Sequence, residues 1–190
     1  MTDIIDHLAG IPPGSALDEA RHKRPEARAQ AQASHDLLLL PADSGGFALA
    51  ERWAVAAFVA ALHNQAETAA YYAQGLAERA PELAAKVADA AARGQASGPH
   101  GAYPAGPLSR EDTKAPAFAA DAGVLGARLS AALDHAHMLV FHPRDASAEH
   151  LQRLADAGWS TPAMVTLSQL VAFLSFQIRA VAGFRAMLAA

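Results

Sequence analysis

Apolar side chains recur at helical spacing along nearly the whole chain, and the runs of β-branched residues typical of strands are missing. Ala, Leu, Glu, Gln and Arg, which favour helices, dominate. The pattern therefore predicts an all-α protein. Proline, glycine and capping residues divide it, and the helices we expect are Asp3 to Leu8, Ala16 to Lys23, Pro25 to about Leu40, Phe47 to Ala77 with one break, Pro81 to Gly94, most of Phe118 to Phe141, Ser147 to Ala157, and Thr161 to about Leu188.

The expected break lies in the longest of these segments. Unbroken, residues 47–77 would form a helix of about 30 residues, well beyond the usual 10 to 14. Asn64, followed three positions later by Glu67, has the form of a capping box, with Asn in place of Ser or Thr. On one straight helix Glu51 and His63 would lie about 18 Å apart along the axis, too far to share a proton. We therefore expect a turn at His63 and Asn64 that folds the second helix against the first.

We predict one domain, with an N-terminal helical extension over residues 1–40 and a helical domain over residues 41–190. Residues 94–107, rich in Gly, Pro and Ser, predict a mobile loop. The last helix is apolar almost all round, which indicates burial in the core or in a contact between subunits. Val55–Phe58 resembles Leu170–Phe173. This echo between the two halves is explained by shared composition, with an internal duplication as the alternative.

Composition narrows the classes of protein. The 190 residues are 52% hydrophobic and 18% charged, which is typical of a globular chain. With a net charge of −4 and no basic cluster beyond Arg21–Arg24, we expect no nucleic-acid partner. The N-terminus is acidic, whereas a signal peptide begins with a basic segment, so we expect no signal peptide. The sequence contains no run of about 18 apolar residues, so we expect no membrane span. The chain has no cysteine, so it has no disulfides, and a cytoplasmic location is expected.

The segment that begins at Glu51 combines an acid, an imidazole and a tyrosine in a spacing that resembles the active-site segment of the AhpD-like / carboxymuconolactone decarboxylase family. In that family's peroxidase branch, a Glu is followed after eleven residues by Cys-x-x-Cys, three more residues and a His. Glu51 matches the Glu. His63 and Ala66 occupy the two thiol positions, and Ala70 occupies the His position, with Tyr71 next. The resemblance implies a member that has lost the peroxidatic dithiol.

The second half of the chain extends this resemblance. His137–Pro143, Leu151–Ser160 and Val165–Arg179 are similar to the peroxidase-related subgroup, in which a helix, a Pro turn and an Ala-Gly link precede a long helix bearing an Arg. The similarity spans roughly residues 38–184. It implies an AhpD-like helical bundle, and because protomers of that family associate through helices, a homo-oligomer is expected.

Two residues are the candidate catalytic groups. A buried Glu51 in its apolar stretch would carry a proton, with a pKa raised by desolvation. The alternative places Glu51 and Arg52 on the solvated side of a helix start, where the helix dipole favours an acid. His63 is the acid–base candidate, because imidazole titrates near neutral pH. Its alternative is a helix-end histidine that bonds the last carbonyls of its own helix.

Four further residues form the candidate ligand-binding set. Arg179 and Gln177 interrupt the apolar last helix, and Arg179 either forms a structural ion pair, which we favour, or reaches an anionic ligand. Tyr71 is able to hydrogen-bond a ligand, although tyrosines at helical spacing are more often core or interface residues. Asn64 completes the set at the predicted turn.

Histidines in the second half raise the question of a metal. His135 and His137 are two positions apart on a predicted helix, so they point in nearly opposite directions, and only His135 and His142 share a face. No acidic residue has a matching helical spacing, and His100 in the loop does not complete a set. We therefore expect neither a metal nor a cofactor.

Three functions are consistent with these residues. The first, which we favour, is thiol-independent acid–base chemistry by Glu51 and His63 on a small carbonyl, lactone or carboxylate substrate, with Arg179 holding its anion. The second is a non-catalytic role, as a small-molecule binder or as the structural partner of a thiol-bearing homologue. The third is the antioxidant peroxidase role of the family, which a chain without cysteine does not perform by the usual thiol cycle.

Overall fold

The computed structural model describes residues 3–190, and within that range the chain folds into ten α-helices with no strand, which confirms the all-α prediction. An isolated bridge pairs Gly101 with Thr113, and two short 3₁₀ helices cover Pro107–Glu111 and Pro143–Asp145. The α-helices are α1 (Ile4–Ala9), α2 (Ala16–His22), α3 (Pro25–Leu39), α4 (Leu49–Leu62), α5 (Ala66–Arg79), α6 (Pro81–Arg93), α7 (Ala122–Leu125), α8 (Ala127–Phe141), α9 (Ala148–Asp156) and α10 (Thr161–Ala189).

Capping residues define the N-terminal helices. The Asp3 carboxylate accepts hydrogen bonds from the backbone N–H groups of Ile5 and Asp6, and Gly10 ends α1 in the left-handed conformation, with φ of 70°. The Ser15 hydroxyl caps α2 as expected. These ends are determined by local sequence, and for that reason their prediction holds.

Buried charges hold the first three helices together. The carboxylates of Asp3 and Asp6 are buried, and the guanidinium of Arg21 lies 2.6 Å from each of them. Arg28 of α3 adds a second cation, 2.5 Å from Asp6. Burial raises the pKa of Asp6, and the neighbouring arginines oppose that rise. Because breaking such a pair leaves an uncompensated buried charge, these contacts fix the N-terminal helices to one another.

Helix α4 forms the centre of the main core. Every residue from Trp53 to Ala60 is buried, and α5, α6, α8 and α10 pack around it. The alanines of α4 allow those helices to approach closely. A helix buried on all sides is apolar all round, which is the pattern of this segment.

In this core Trp53 of α4 packs directly against Gly75 of α5. A Cβ atom at position 75 would lie within 3.0 Å of three atoms of the Trp53 ring. The indole is held from two other directions, since its Nε1 donates to the Leu39 carbonyl at 3.1 Å and the Arg79 guanidinium lies 4.1 Å above the ring. Glycine at position 75 is therefore required by the packing of two helices.

Arg52 is buried at the start of α4, not on its solvated side. Its guanidinium donates to three backbone carbonyls, those of Phe47 at 2.8 Å, Leu38 at 2.7 Å and Ser44 at 3.0 Å. Desolvation lowers its pKa. The side chain thus joins the end of α3 and the following loop to α4, which corrects the alternative that placed Arg52 in solvent.

Helix α10 buries one side and exposes the other. Leu167, Leu170 and Leu174 are fully buried, whereas Phe176 and Met187 are 55% and 64% exposed. Helix α10 is long and apolar enough to cross a membrane, but core helices of soluble proteins meet the same two criteria. In its apolar window of 18 residues, 39% is buried inside the protein. Helix α10 is therefore buried in the core on one side only, and it exposes apolar residues on the other. Burial of that side in a contact between subunits and the absence of a membrane span stay predictions.

The N-terminal helices rest on the far end of α10. A small apolar cluster joins Ile5 and Leu8 to Val181, separate from the main core. The guanidinium of Arg185 donates to the Leu8 carbonyl at 3.1 Å. Residues 95–106 are irregular, as expected. The mobility of that loop, the division at residue 40 and the duplication of the two halves stay predictions.

Candidate functional site

The chain turns sharply after α4, which confirms the predicted break. Helix α4 ends at Leu62, and Asn64 has a φ of 53° before α5 begins. The capping-box prediction is wrong, because Gln65 occupies the N-cap position without a side-chain bond and Glu67 pairs with an arginine of α10. Asparagine suits the turn for another reason, since it tolerates the left-handed conformation that the tight connection requires.

The turn does not bring Glu51 to His63. Glu51 is in the first turn of α4 and His63 is its C-cap, so the two groups lie at opposite ends of the helix, about 18 Å apart along its axis. Glu51 instead accepts hydrogen bonds from Arg128 at 2.7 Å and from the Ala48 backbone at 3.1 Å. The expected pairing of Glu51 with His63 is therefore wrong. Helix α5 folds back along the side of α4, and Arg128 of α8 contacts the first turn of α4.

His63 lies in an open groove between the α4–α5 turn and α10. Its Nε2 atom is 3.2 Å from the hydroxyl oxygen of Ser175. The groove has a volume of about 1000 Å³ and is bordered by the irregular segment at Gly98 and by the end of α8. Its walls are largely apolar and come from Leu62, Leu139, Val140, Val171 and Phe176. The imidazole is therefore one of few polar groups facing an apolar recess, an arrangement typical of small-molecule sites.

Burial and, as the smaller cause, the positive charge of Arg179 together lower the pKa of His63 to about 4. The imidazole is therefore neutral at physiological pH. Its low pKa also links it to stability: the unfolded chain binds a proton near pH 6.5 and the folded protein does not. The free energy of unfolding consequently falls as the pH drops from about 6.5 towards 4.

Arg179 lies on the same groove, one turn of α10 beyond Ser175. Within residues 3–190 no acidic side chain forms an ion pair with it, so the structural ion pair that we favoured is not observed. None of the described residues that line the groove is acidic. An exposed guanidinium beside an apolar recess without acids is suited to an anion.

The other predicted ligand-binding residues lie elsewhere. Gln177 is fully buried and accepts a hydrogen bond from the hydroxyl of Tyr72. Tyr71 packs edge-on against Tyr72 and borders a separate recess near Trp53, where burial raises its pKa. Asn64 is exposed at the turn and does not line the groove. Of the six residues predicted from sequence, the structure brings together His63 and Arg179.

The histidines of α8 point to different elements, as their spacing predicted. The Nε2 atom of His135 is 3.0 Å from the Ser168 hydroxyl on α10, and that of His137 is 2.9 Å from the Gly94 carbonyl. Burial lowers the pKa of His135 to about 4. Across residues 3–190, no group of three or more His, Asp or Glu side chains is placed to hold a metal ion.

Sequence reasoning missed Ser168 and Ser175, which a helical projection would have found. Together with Ala172 and Arg179 they occur at intervals of three or four residues along α10. These four residues form a stripe of small or polar side chains that lines the groove, on a helix that is otherwise mostly apolar. Ala172 keeps the floor of the groove open between the two hydroxyls. The stripe indicates which side of α10 faces the groove.

No protein-family model, curated protein or solved structure matches this chain. The AhpD-like resemblance therefore stays a prediction that depends on the residues quoted above.

Replacing Arg179 with glutamine is expected to raise the pKa of His63, because the positive neighbour is removed. The pKa should stay below 6.5, since burial is the larger cause of its lowering. Titration of the imidazole signals by NMR measures both values. A His63 that titrates near 6.5 in the unsubstituted protein, or a pKa that does not move in the variant, would contradict this account of the groove.

Proposed function

We propose that the groove binds a small organic carboxylate, with Arg179 holding its anionic group. The observation that carries the proposal is the position of Arg179, an exposed guanidinium without an acidic partner in the described chain, beside an apolar recess that no acid lines. Arginine offers paired N–H donors that match the geometry of a carboxylate. The apolar walls favour a ligand whose remaining part is hydrocarbon.

His63 and Ser175 provide the polar contacts next to this charge. A neutral imidazole offers one donor and one acceptor, and the serine hydroxyl can do either. A bound carboxylate would offset the positive charge of Arg179 and raise the pKa of His63. Binding is therefore expected to couple to proton uptake under mildly acidic conditions.

A second candidate function is proton transfer by His63 on the bound ligand, supported by the contact of its Nε2 atom with Ser175. A general base works best with a pKa near the working pH. With a pKa of about 4, the His63 imidazole is a weak base at neutral pH. We therefore rank binding above catalysis. Glu51 has no part in either proposed function, because its carboxylate accepts hydrogen bonds from Arg128 and from the backbone N–H of Ala48.

We also propose that the chain is a thiol-free relative of the AhpD-like proteins, on the basis of its resemblance in sequence. A homo-oligomer and a cytoplasmic location belong to the same proposal. Peroxidase activity is not part of it, since the reaction needs a thiolate and the chain has no cysteine. No observation favours a structural partnership with a thiol-bearing homologue.

Exchanging Arg179 for glutamine should weaken the binding of hexanoate at least about tenfold, because a charge-assisted pair is lost. NMR titration of the backbone amides of α10 measures the affinity even where it is weak. Hexanamide, which has the same hydrocarbon chain without the charge, should bind the unsubstituted protein as weakly as hexanoate binds the variant.

The matched control is Arg93→Gln, which removes an exposed arginine paired with Asp89 on α6, away from the groove. It should bind hexanoate like the unsubstituted protein. Equal affinity of hexanoate for the Arg179→Gln variant and the unsubstituted protein would refute the proposed carboxylate site.

A further inference from the structure

The groove shares a wall with a second cavity. Phe176 and Ala180 line the groove, and they also line an apolar pocket of about 320 Å³ between α10 and the N-terminal helices. We call this cavity the N-terminal pocket; its apolar lining includes Leu17, Ala20, Ala27, Ala31, Phe184 and Met187. The two cavities are therefore neighbours that share one turn of α10 as a wall.

The N-terminal pocket has the character of a hydrocarbon site. Its polar residues are three arginines, of which Arg21 and Arg28 are held by the buried carboxylates of Asp3 and Asp6. Among the described residues that line it, none is acidic. Phe176 and Met187, both more than half exposed, leave a large apolar area in contact with solvent.

The position of Arg179 sets the direction of an occupant. Arg179 and Met187 are eight residues apart on α10, about 12 Å along the helix axis. A ligand with its carboxylate at Arg179 would therefore pass Ala180, which lines both cavities, before its other end reached Met187. A short carboxylate would occupy the groove alone.

We propose that the N-terminal pocket takes the alkyl chain of a free fatty acid whose carboxylate lies at Arg179. This inference rests on the proposed carboxylate site and names its ligand class. Charge complementarity supports a fatty acid, because the groove has one unpaired guanidinium and neither cavity has an acid among the described residues that line it. Phe176 and Ala180 form the apolar wall that the two cavities share.

The test compares hexanoate, decanoate and tetradecanoate binding to the full-length protein by isothermal titration calorimetry. Affinity is expected to rise with chain length, by about two- to fourfold for each additional methylene that is buried. Ala27→Trp fills the N-terminal pocket from α3 and should abolish this gain while leaving hexanoate binding unchanged. Ala20→Trp fills it from α2 and should act in the same way.

Ala33→Trp is the matched control, because it places the same side chain on an exposed position of α3 outside the pocket lining. It should retain the full gain with chain length. The inference is overturned if tetradecanoate binds the unsubstituted protein no better than hexanoate, or if both pocket-filling variants keep the gain.

Three further outcomes assign the cavity differently. If Ala27→Trp abolishes the gain but Arg179→Gln leaves the binding of every acid unchanged, the hydrocarbon pocket stands and the carboxylate site fails. Arg24 also lines the pocket, and a loss of tetradecanoate binding in Arg24→Gln instead of Arg179→Gln would overturn the proposed direction. A dimer in light scattering that Ala27→Trp converts to monomer would assign the pocket to a second copy of the chain.

Discussion

Replacing Gly75 with alanine is expected to lower the free energy of unfolding by about 3 kcal/mol. The added Cβ would lie within 3.0 Å of three atoms of the Trp53 ring, so either the ring or the whole of α5 must move. The ring has little room, because it is buried, bonded to the Leu39 carbonyl and covered by Arg79. Urea denaturation followed by circular dichroism measures the change.

Gly183→Ala is the matched control, since Gly183 is also within a helix but has no atom within 4 Å of the position of an added Cβ. Alanine favours the helix over glycine by up to about 1 kcal/mol, so this variant should be slightly more stable than the unsubstituted protein. Opposite signs for two identical substitutions would isolate the effect of packing. If Gly75→Ala is also stabilising, the close approach of α4 and α5 is refuted.

Replacing Arg52 with methionine is expected to cost about 3 to 4 kcal/mol of stability. The three carbonyls that its guanidinium bonds would lose their donors, and the contact of the guanidinium with the Phe47 ring, 4.7 Å away, would also be lost. Methionine keeps most of the length and the apolar stem of the side chain. The loss therefore reports the hydrogen bonds more than the volume.

Two comparisons test the origin of that loss. Arg93→Met removes an exposed arginine of α6 and should change stability by less than about 0.5 kcal/mol. Arg52→Lys keeps the charge but not the fork of donors, so its stability should fall between those of Arg52→Met and the unsubstituted protein. An Arg52→Met variant within about 1 kcal/mol of the unsubstituted protein would show that the three carbonyls find other donors.

Local chemistry explains which parts of the fold the sequence predicts. Ser15, Pro25 and Gly10 each set a helix end through their own backbone preference or capping group, and the structure places those ends within a residue or so of expectation. The turn at Asn64 was also predicted, although the capping box that located it does not form: Gln65 is the N-cap of α5, and Asn64 adopts the left-handed conformation. Helix length was no decisive argument, because α10 continues unbroken for 29 residues.

Partners distant in sequence explain what the sequence did not predict. The acid at position 51 looked like a proton carrier because its neighbours are apolar, but an arginine 77 residues away determines its role. In the same way His63 meets a serine 112 residues further on. Gln177 and Arg179 are two positions apart, so α10 turns one into the core and leaves the other exposed. Such pairings follow from how helices pack, which the pattern of a single helix does not contain.

The packing of α1 against α10 determines when the first helix is protected during synthesis of the protein. Ile5 and Leu8 pack against Val181, and the Leu8 carbonyl accepts a hydrogen bond from Arg185, so the first helix lacks this binding surface until α10 has been translated. A nascent polypeptide exposes those side chains throughout elongation, because domains form as cooperative units. Chains truncated before residue 181 should therefore leave the first helix accessible to protease, and chains that include all of α10 should protect it.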